Sequence, residues 1–179
     1  MKVRIISLLR SALLLGLGLG TTLTFAEKAR SQPGLQPLSL YWSSERGDNF
    51  TTATEAGARA AQAAGYKFVR IEACVLPSQQ PGTVPLNLYW NSERGDNFTT
   101  ATAIGERSAQ AAGYSYAETV GYVFPQQQSG TIPLKLYWSS ARADNFTTGS
   151  TDGAADAIGS GYQAVRVEGY AYPASQCSP

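Results

Sequence analysis

The chain has 179 residues, 14 basic against 13 acidic, two cysteines and no histidine. The near balance of charge excludes the basic footprint of a nucleic-acid binder. The lack of histidine removes the commonest general base and metal ligand, and with them Ser-His and Cys-His nucleophilic machinery.

In chain order, the first element is a targeting segment. Lys2, Arg4 and Arg10 give a basic start, Ala12 to Gly20 an apolar run, and Thr24-Phe25-Ala26 a small-residue cleavage site. The run is too short to span a bilayer comfortably, and no cysteine near the cut can carry a lipid. Residues 1–26 are therefore expected to be a signal peptide of a secreted, extracellular or periplasmic protein. Its removal takes three basic residues and no acidic one, leaving 11 against 13 and a net charge of −2. The remaining roughly 150 residues suit one domain, expected over 32–179.

That domain is written three times, without gaps, at a period of 48 residues, giving units 38–85, 86–133 and 134–179. LSLYW from Leu38 returns as LNLYW from Leu86 and LKLYW from Leu134. Within the first unit, Leu38 to Trp42 alternates as a strand, with Leu38, Leu40 and Trp42 on one face and Tyr41 on the other. Ser43 to Asp48 is a turn with Gly47 available for positive φ, and Asn49 to Thr51 a short return strand. Thr52 to Gly65 reads as a helix, capped by Thr52 with Glu55 completing a capping box and Gly65 closing it. Tyr66 to Leu76 is rich in β-branched and aromatic residues and forms the last strand.

Gly57, Ala61 and Ala64 share one helix face, as do Gly105, Ala109, Ala112 and Gly153, Ala157, Ser160. So thin a stripe must approach a sheet closely, which marks scaffold. One unit cannot bury its strands alone, and no polar cap closes either end of the array, as an open stack requires. Cys74 stands where Tyr122 and Tyr170 stand in the other units, while Cys177 ends the third. A Cys74–Cys177 disulfide then joins first unit to last, as an exported even pair suggests. The expected fold class is α+β, three ββαβ-like repeats closed on a pseudo-threefold axis as a propeller-like ring. A trefoil-like barrel is the alternative, disfavoured by the helix in each unit.

The pattern LYWSSERGDNFTTAT…GY…GYVFP…QPGTVPL resembles a tandem repeat of secreted bacterial and fungal proteins. That repeat is marked by a Leu-Tyr strand, a Gly-Asp-His-Phe-type turn followed by Thr-Thr, and a closing Gly-Tyr strand. The resemblance runs from about Gln32 to Pro173 and is to a domain of unknown function, found alone or beside secreted hydrolases. It implies an extracellular accessory module without an established active site. Asn49, Asn97 and Asn145 stand where relatives carry His.

The recurring polar set is Arg46, Asp48, Trp42; Arg94, Asp96, Trp90; and Arg142, Asp144, Trp138. Arg and Asp hydrogen-bond vicinal hydroxyls and Trp offers a platform for a sugar face, so these nine are the candidate ligand-binding residues. The competing reading makes Asp-Asn turn formers and Trp core, with Tyr41, Tyr89 and Tyr137 then the exposed aromatics. A calcium loop wants more carboxylates than one Asp with Glu45 or Glu93, and the third unit has Ala141 there. Glu72 and Glu168 alternate with valines and isoleucine and pair with Arg70 and Arg166, which places them on a solvated face; Glu118 falls out of their register. The N-x-T sequons at Asn49, Asn97 and Asn145 are by-products of the turn.

Together these residues point to a non-catalytic module binding a cell-surface or extracellular glycan, with a structural or protein-interaction domain as the alternative. No cofactor, metal, nucleic acid or membrane span after cleavage is expected, and a monomer is.

Overall fold

Each unit folds around its Leu-x-Leu-Tyr-Trp strand, which takes the centre of a three-stranded antiparallel sheet. A computed structural model describes residues 34–177; the expected signal peptide lies outside them. In the first unit β1 (Gln36–Ser43) is flanked by β2 (Asp48–Thr52) and, after α1 (Glu55–Ala63), by β3 (Lys67–Val75). The second unit repeats this with β4 (Val84–Asn91), β5 (Asp96–Thr100), α2 (Ala103–Ala111) and β6 (Ser115–Val123). The third does so with β7 (Ile132–Ser139), β8 (Asp144–Thr148), α3 (Thr151–Gly159) and β9 (Gln163–Ala171), followed by a 3-10 turn at Ala174–Gln176.

The α+β assignment is corrected. Each unit has strands of eight, five and nine residues against one helix of nine, and the three sheets remain separate. The protein is mostly β, three repeated sheet units, and among the described residues no continuous ladder closes a barrel. The helices are too thin to form a layer. Gly57 and Ala61 are the buried residues of α1, and a Cβ on Gly57 would fall 2.2 Å from Thr52 Oγ1. Gly105 and Gly153 meet Thr100 and Thr148 in the same way. Glycine is needed there because the helix lies directly on the edge strand.

The helix start is also two residues later than the sequence suggests. Thr52 ends β2, and the cap is Thr54, whose Oγ1 accepts the Gly57 N–H at 2.9 Å. Thr102 and Ser150 cap α2 and α3 equivalently. The β1–β2 turn needs a left-handed residue, supplied by Gly47 at φ 69° and Gly95 at φ 69° but by Ala143 at φ 53° in the third unit. A Cβ costs about 1 kcal/mol in that region. Ala143→Gly should therefore raise unfolding free energy by about 0.5–1 kcal/mol in urea denaturation, and a destabilised variant would contradict this.

The units meet in three ways. β2, β5 and β8 lie against one another at the centre. There Thr51 Oγ1 donates to the Thr147 carbonyl at 3.4 Å, Thr147 to Thr99 at 2.7 Å, and Thr99 to Thr51 at 3.2 Å, a closed cycle. Single bridges then tie the third strands: Leu76 with Tyr122, Phe124 with Tyr170, and Cys74 with Tyr172. Finally, each unit's core is completed by its neighbour. Leu88 joins Tyr41, Phe50, Ala61 and Tyr66; Leu136 joins Tyr89, Phe98, Ala109 and Tyr114; Leu40 joins Tyr137, Phe146, Ala157 and Tyr162. Leu38, Leu86 and Leu134 of all three units share one cluster. The Cys74–Cys177 disulfide is formed, linking the first unit to the end of the third. Among the described residues no helix is long and apolar enough to cross a membrane.

Candidate functional site

The Asp-Asn pair of the repeated turn is turned inward, not toward solvent. Asp48, Asp96 and Asp144 open β2, β5 and β8 and are 2, 2 and 1 % exposed. Asp48 accepts from the Asn97 backbone N–H at 3.2 Å and from Asn97 Nδ2 at 2.9 Å. Asp96 takes the same pair of bonds from Asn145, and Asp144 from Asn49. Each carboxylate also accepts from a tyrosine hydroxyl of its own unit, Tyr66, Tyr114 or Tyr162. The bonds run round the centre in one direction, so every unit is stitched to the next.

The three carboxylates lie within 4.8 Å of one another, the only such acidic grouping among the described residues. Burial is the main cause that pushes Asp96 up to about 7 and Asp144 up to about 10, with charge from Asp48 adding to both. Burial, then the paired Asp, likewise raises the three tyrosine hydroxyls above their usual value. Because their oxygens are already held by Asn and Tyr, the aspartates act as a structural hub. The sequon asparagines are buried in the same hub.

A second set of contacts overturns the solvated placement of the last-strand glutamates. Glu72 and Glu168 are 0 and 1 % exposed. Glu72 accepts from Thr148 and Ser150 of the third unit, and Glu168 from Thr100 at 2.6 Å and Thr102 at 2.8 Å of the second. Each is thus clasped by the cap residue of a neighbour's helix and by the threonine that ends the strand before it. Arg70 and Arg166 pair with them at 2.8 and 2.6 Å. Alternation failed here because the third strand is bulged twice. Leu38 faces Ala73 and Ser39 faces Ile71, leaving Glu72 as the extra residue; Val69 is the extra residue of the second bulge. The bulges swing Glu72 inward and leave Val69 exposed.

The register also explains Glu118. Leu40 faces Arg70, Leu136 faces Arg166, and Leu88 faces Glu118, so Glu118 occupies the arginine position of its unit. Val120 fills the place of Glu72 and Glu168. Lacking its arginine, the second unit sends Glu118 itself to the first unit's helix cap, where it accepts from Thr54 Oγ1 at 3.0 Å.

Between the hub and the outer strands run three related clefts, one per junction. The cleft between the first and second units joins Arg46, Phe50 and Tyr66 to Trp90 and Asn97. The next joins Arg94, Phe98 and Tyr114 to Trp138 and Asn145. The last joins Arg142, Phe146 and Tyr162 to Trp42 and Asn49. The Trp and Arg of one repeated phrase are therefore parted; each cleft pairs one unit's arginine with the following unit's tryptophan. The arginines are exposed and lie over the tyrosine rings, at 5.9 Å for Arg46–Tyr66 and 5.6 Å for both Arg94–Tyr114 and Arg142–Tyr162. Arg142 also stands 5.6 Å from the Trp42 ring.

Of the nine residues singled out, the six Arg and Trp side chains reach clefts, with the tryptophans half-buried. The three aspartates do not. Tyr41, Tyr89 and Tyr137 are buried at 6, 4 and 3 %, so the exposed-aromatic alternative for them is withdrawn. Sequence reading missed Tyr66, Tyr114 and Tyr162 as cleft walls, although their strict 48-residue spacing was visible. A family model described as a domain of unknown function (DUF5648) matches residues 37–172. Neither a curated protein nor a solved structure matches the chain.

Proposed function

We propose, since the chain belongs to the DUF5648 family and that membership supplies no activity, a function drawn from the clefts: non-catalytic binding of an extracellular or cell-surface glycan by a secreted protein. The observation that carries it is the threefold meeting of a half-buried Trp with an exposed Arg from the preceding unit. Indole presents an apolar face to a pyranose ring, and guanidinium N–H groups donate to vicinal hydroxyls. Three such sites on one rigid body gain avidity on a polymer. The basic-apolar leader and the disulfide support an oxidising, extracellular destination. The buried carboxylates Glu72 and Glu168 are engaged by hydroxyls and arginine, which favours a binding role over hydrolysis.

The test is the variant R46A/R94A/R142A against a polysaccharide panel. The expected result is one class retained by the native protein and lost by the variant, at least tenfold in affinity. Stability should fall by no more than about 1 kcal/mol per site, the worth of an exposed cation–π contact. Exposed apolar side chains on the third strand of each unit, Phe68, Tyr116, Val165 and Val167, favour the alternative of a protein-interaction module. Binding of a protein partner by native and variant alike, with no polysaccharide retained, would select that reading.

A further inference from the structure

The three clefts differ in one respect that changes their chemistry. In two of them the chain fills part of the space with its own guanidinium: Arg70 lines the third–first cleft and Arg166 the second–third. Arg166 lies 5.8 Å from the Phe98 ring, a self-supplied cation on the aromatic wall. Arg70 is held there between Glu72 and Asp156. In the first–second cleft the same register position is Glu118, and the neighbouring Val69 and Val165 position is Ala117. The cavity opens accordingly, to about 440 Å³ against about 250 and 270 Å³.

This cleft is therefore wider, walled by the aromatic rings of Phe50, Tyr66 and Trp90, and carries a carboxylate where its sisters carry a cation. Glu118 is half-buried, and among the described residues the group hydrogen-bonded to it is the Thr54 hydroxyl. An ionised carboxylate has about four acceptor directions, so most remain for a ligand. An aromatic wall beside a carboxylate attracts a cation from both sides. The place that Arg166 takes over Phe98 is open over Phe50.

Resting on the glycan reading, we infer that the first–second cleft is the principal site and takes a sugar unit bearing a free, protonated amine, with Glu118 accepting from the ammonium and Trp90 stacking on the ring. Arg46, lying over Tyr66 at the same cleft, donates to the sugar hydroxyls. The other two clefts, occupied by Arg70 and Arg166, take neutral parts of the polymer weakly.

The test uses calorimetry of the full disulfide-bonded protein with matched-length oligomers of glucosamine, N-acetylglucosamine and glucose, at a pH where the amine is charged. The glucosamine oligomer should bind about tenfold more tightly than the other two. Glu118→Gln, which keeps shape and the Thr54 contact, should remove that preference. The double change E118R/V120E installs the arginine–glutamate pair of the sister units, with Thr52 and Thr54 in place to receive the glutamate. It should fold with a melting temperature near native and lose the tight site. Equal affinity for glucosamine and N-acetylglucosamine oligomers would overturn the amine assignment while leaving glycan binding in place. Undiminished glucosamine binding by a folded E118R/V120E would overturn the location. Failure of all three oligomers and of the polysaccharide panel would remove the glycan reading itself.

Discussion

Replacing Cys74 and Cys177 together by alanine should lower unfolding free energy by about 4 kcal/mol, the largest single loss expected in this protein. The disulfide spans 103 residues, more than two of the three units. Closing a loop of that length removes about 4–5 kcal/mol of chain entropy from the unfolded state. The folded geometry makes this loop natural. Cys74 pairs with Tyr172 in the bridge between the first and third units, the counterpart of Tyr122 with Leu76 and Tyr170 with Phe124. At the other two junctions the chain itself continues from one unit into the next. Only the first–third junction lacks a peptide connection, and the disulfide supplies it. Urea denaturation of the double alanine variant checks this; a loss under about 1 kcal/mol would show that the Asp-Asn and threonine cycles alone hold the junction.

Stability should fall as pH rises from about 5 to 9, the reverse of a protein held by salt-bridged carboxylates. Asp96 and Asp144 have folded values raised to about 7 and about 10, by burial first, against a usual value near 4. Between the unfolded and folded values the native state keeps protons that the unfolded chain has released. The unfolding free energy then decreases with pH, by on the order of 1 kcal/mol per pH unit for each proton so held. That stability is fully present below about pH 4 and is lost through 7 for Asp96 and toward 10 for Asp144. Asp144→Asn removes one charge from the hub without changing its size, and should flatten the profile and raise stability at pH 9. Denaturation midpoints at pH 5, 7 and 9 for the native protein and this variant decide it. A native midpoint that rises with pH would contradict the buried-hub account.

Much of this architecture is legible in the sequence because it is local or periodic. The Gly47 turn, the strand of Leu38 to Trp42, the glycine stripe of each helix and the Cys74–Cys177 bond all follow from residue type and a 48-residue period. Three features were not legible, each for a physical reason. Asp48 and Asn49 suit a solvent-exposed turn so well that local chemistry hides their partners, which sit 95 and 49 residues away. Glu72 obeys alternation on paper, but it is itself the extra residue of a bulge, which breaks the alternation between Ile71 and Ala73. The fold class was misread because a nine-residue Gly/Ala helix gives a strong capping signal while covering little of the sheet. The ligand cleft was also misdrawn. Trp42 and Arg46 belong to one repeated phrase, yet the packing of three units brings each tryptophan against the previous unit's arginine. Glu118 needed the bulged register before its equivalence with Arg70 and Arg166 became visible.

The central claim is that sugar rings stack in the inter-unit clefts, and the protein offers a direct reporter. It has three tryptophans, one in each cleft. Labelling with 5-fluorotryptophan gives three fluorine resonances, assigned by single Trp→Phe changes. Titration with the best-binding oligosaccharide should move the Trp90 signal first and furthest, with Trp42 and Trp138 following at higher concentration. Three unmoved resonances at saturating oligosaccharide would contradict the account.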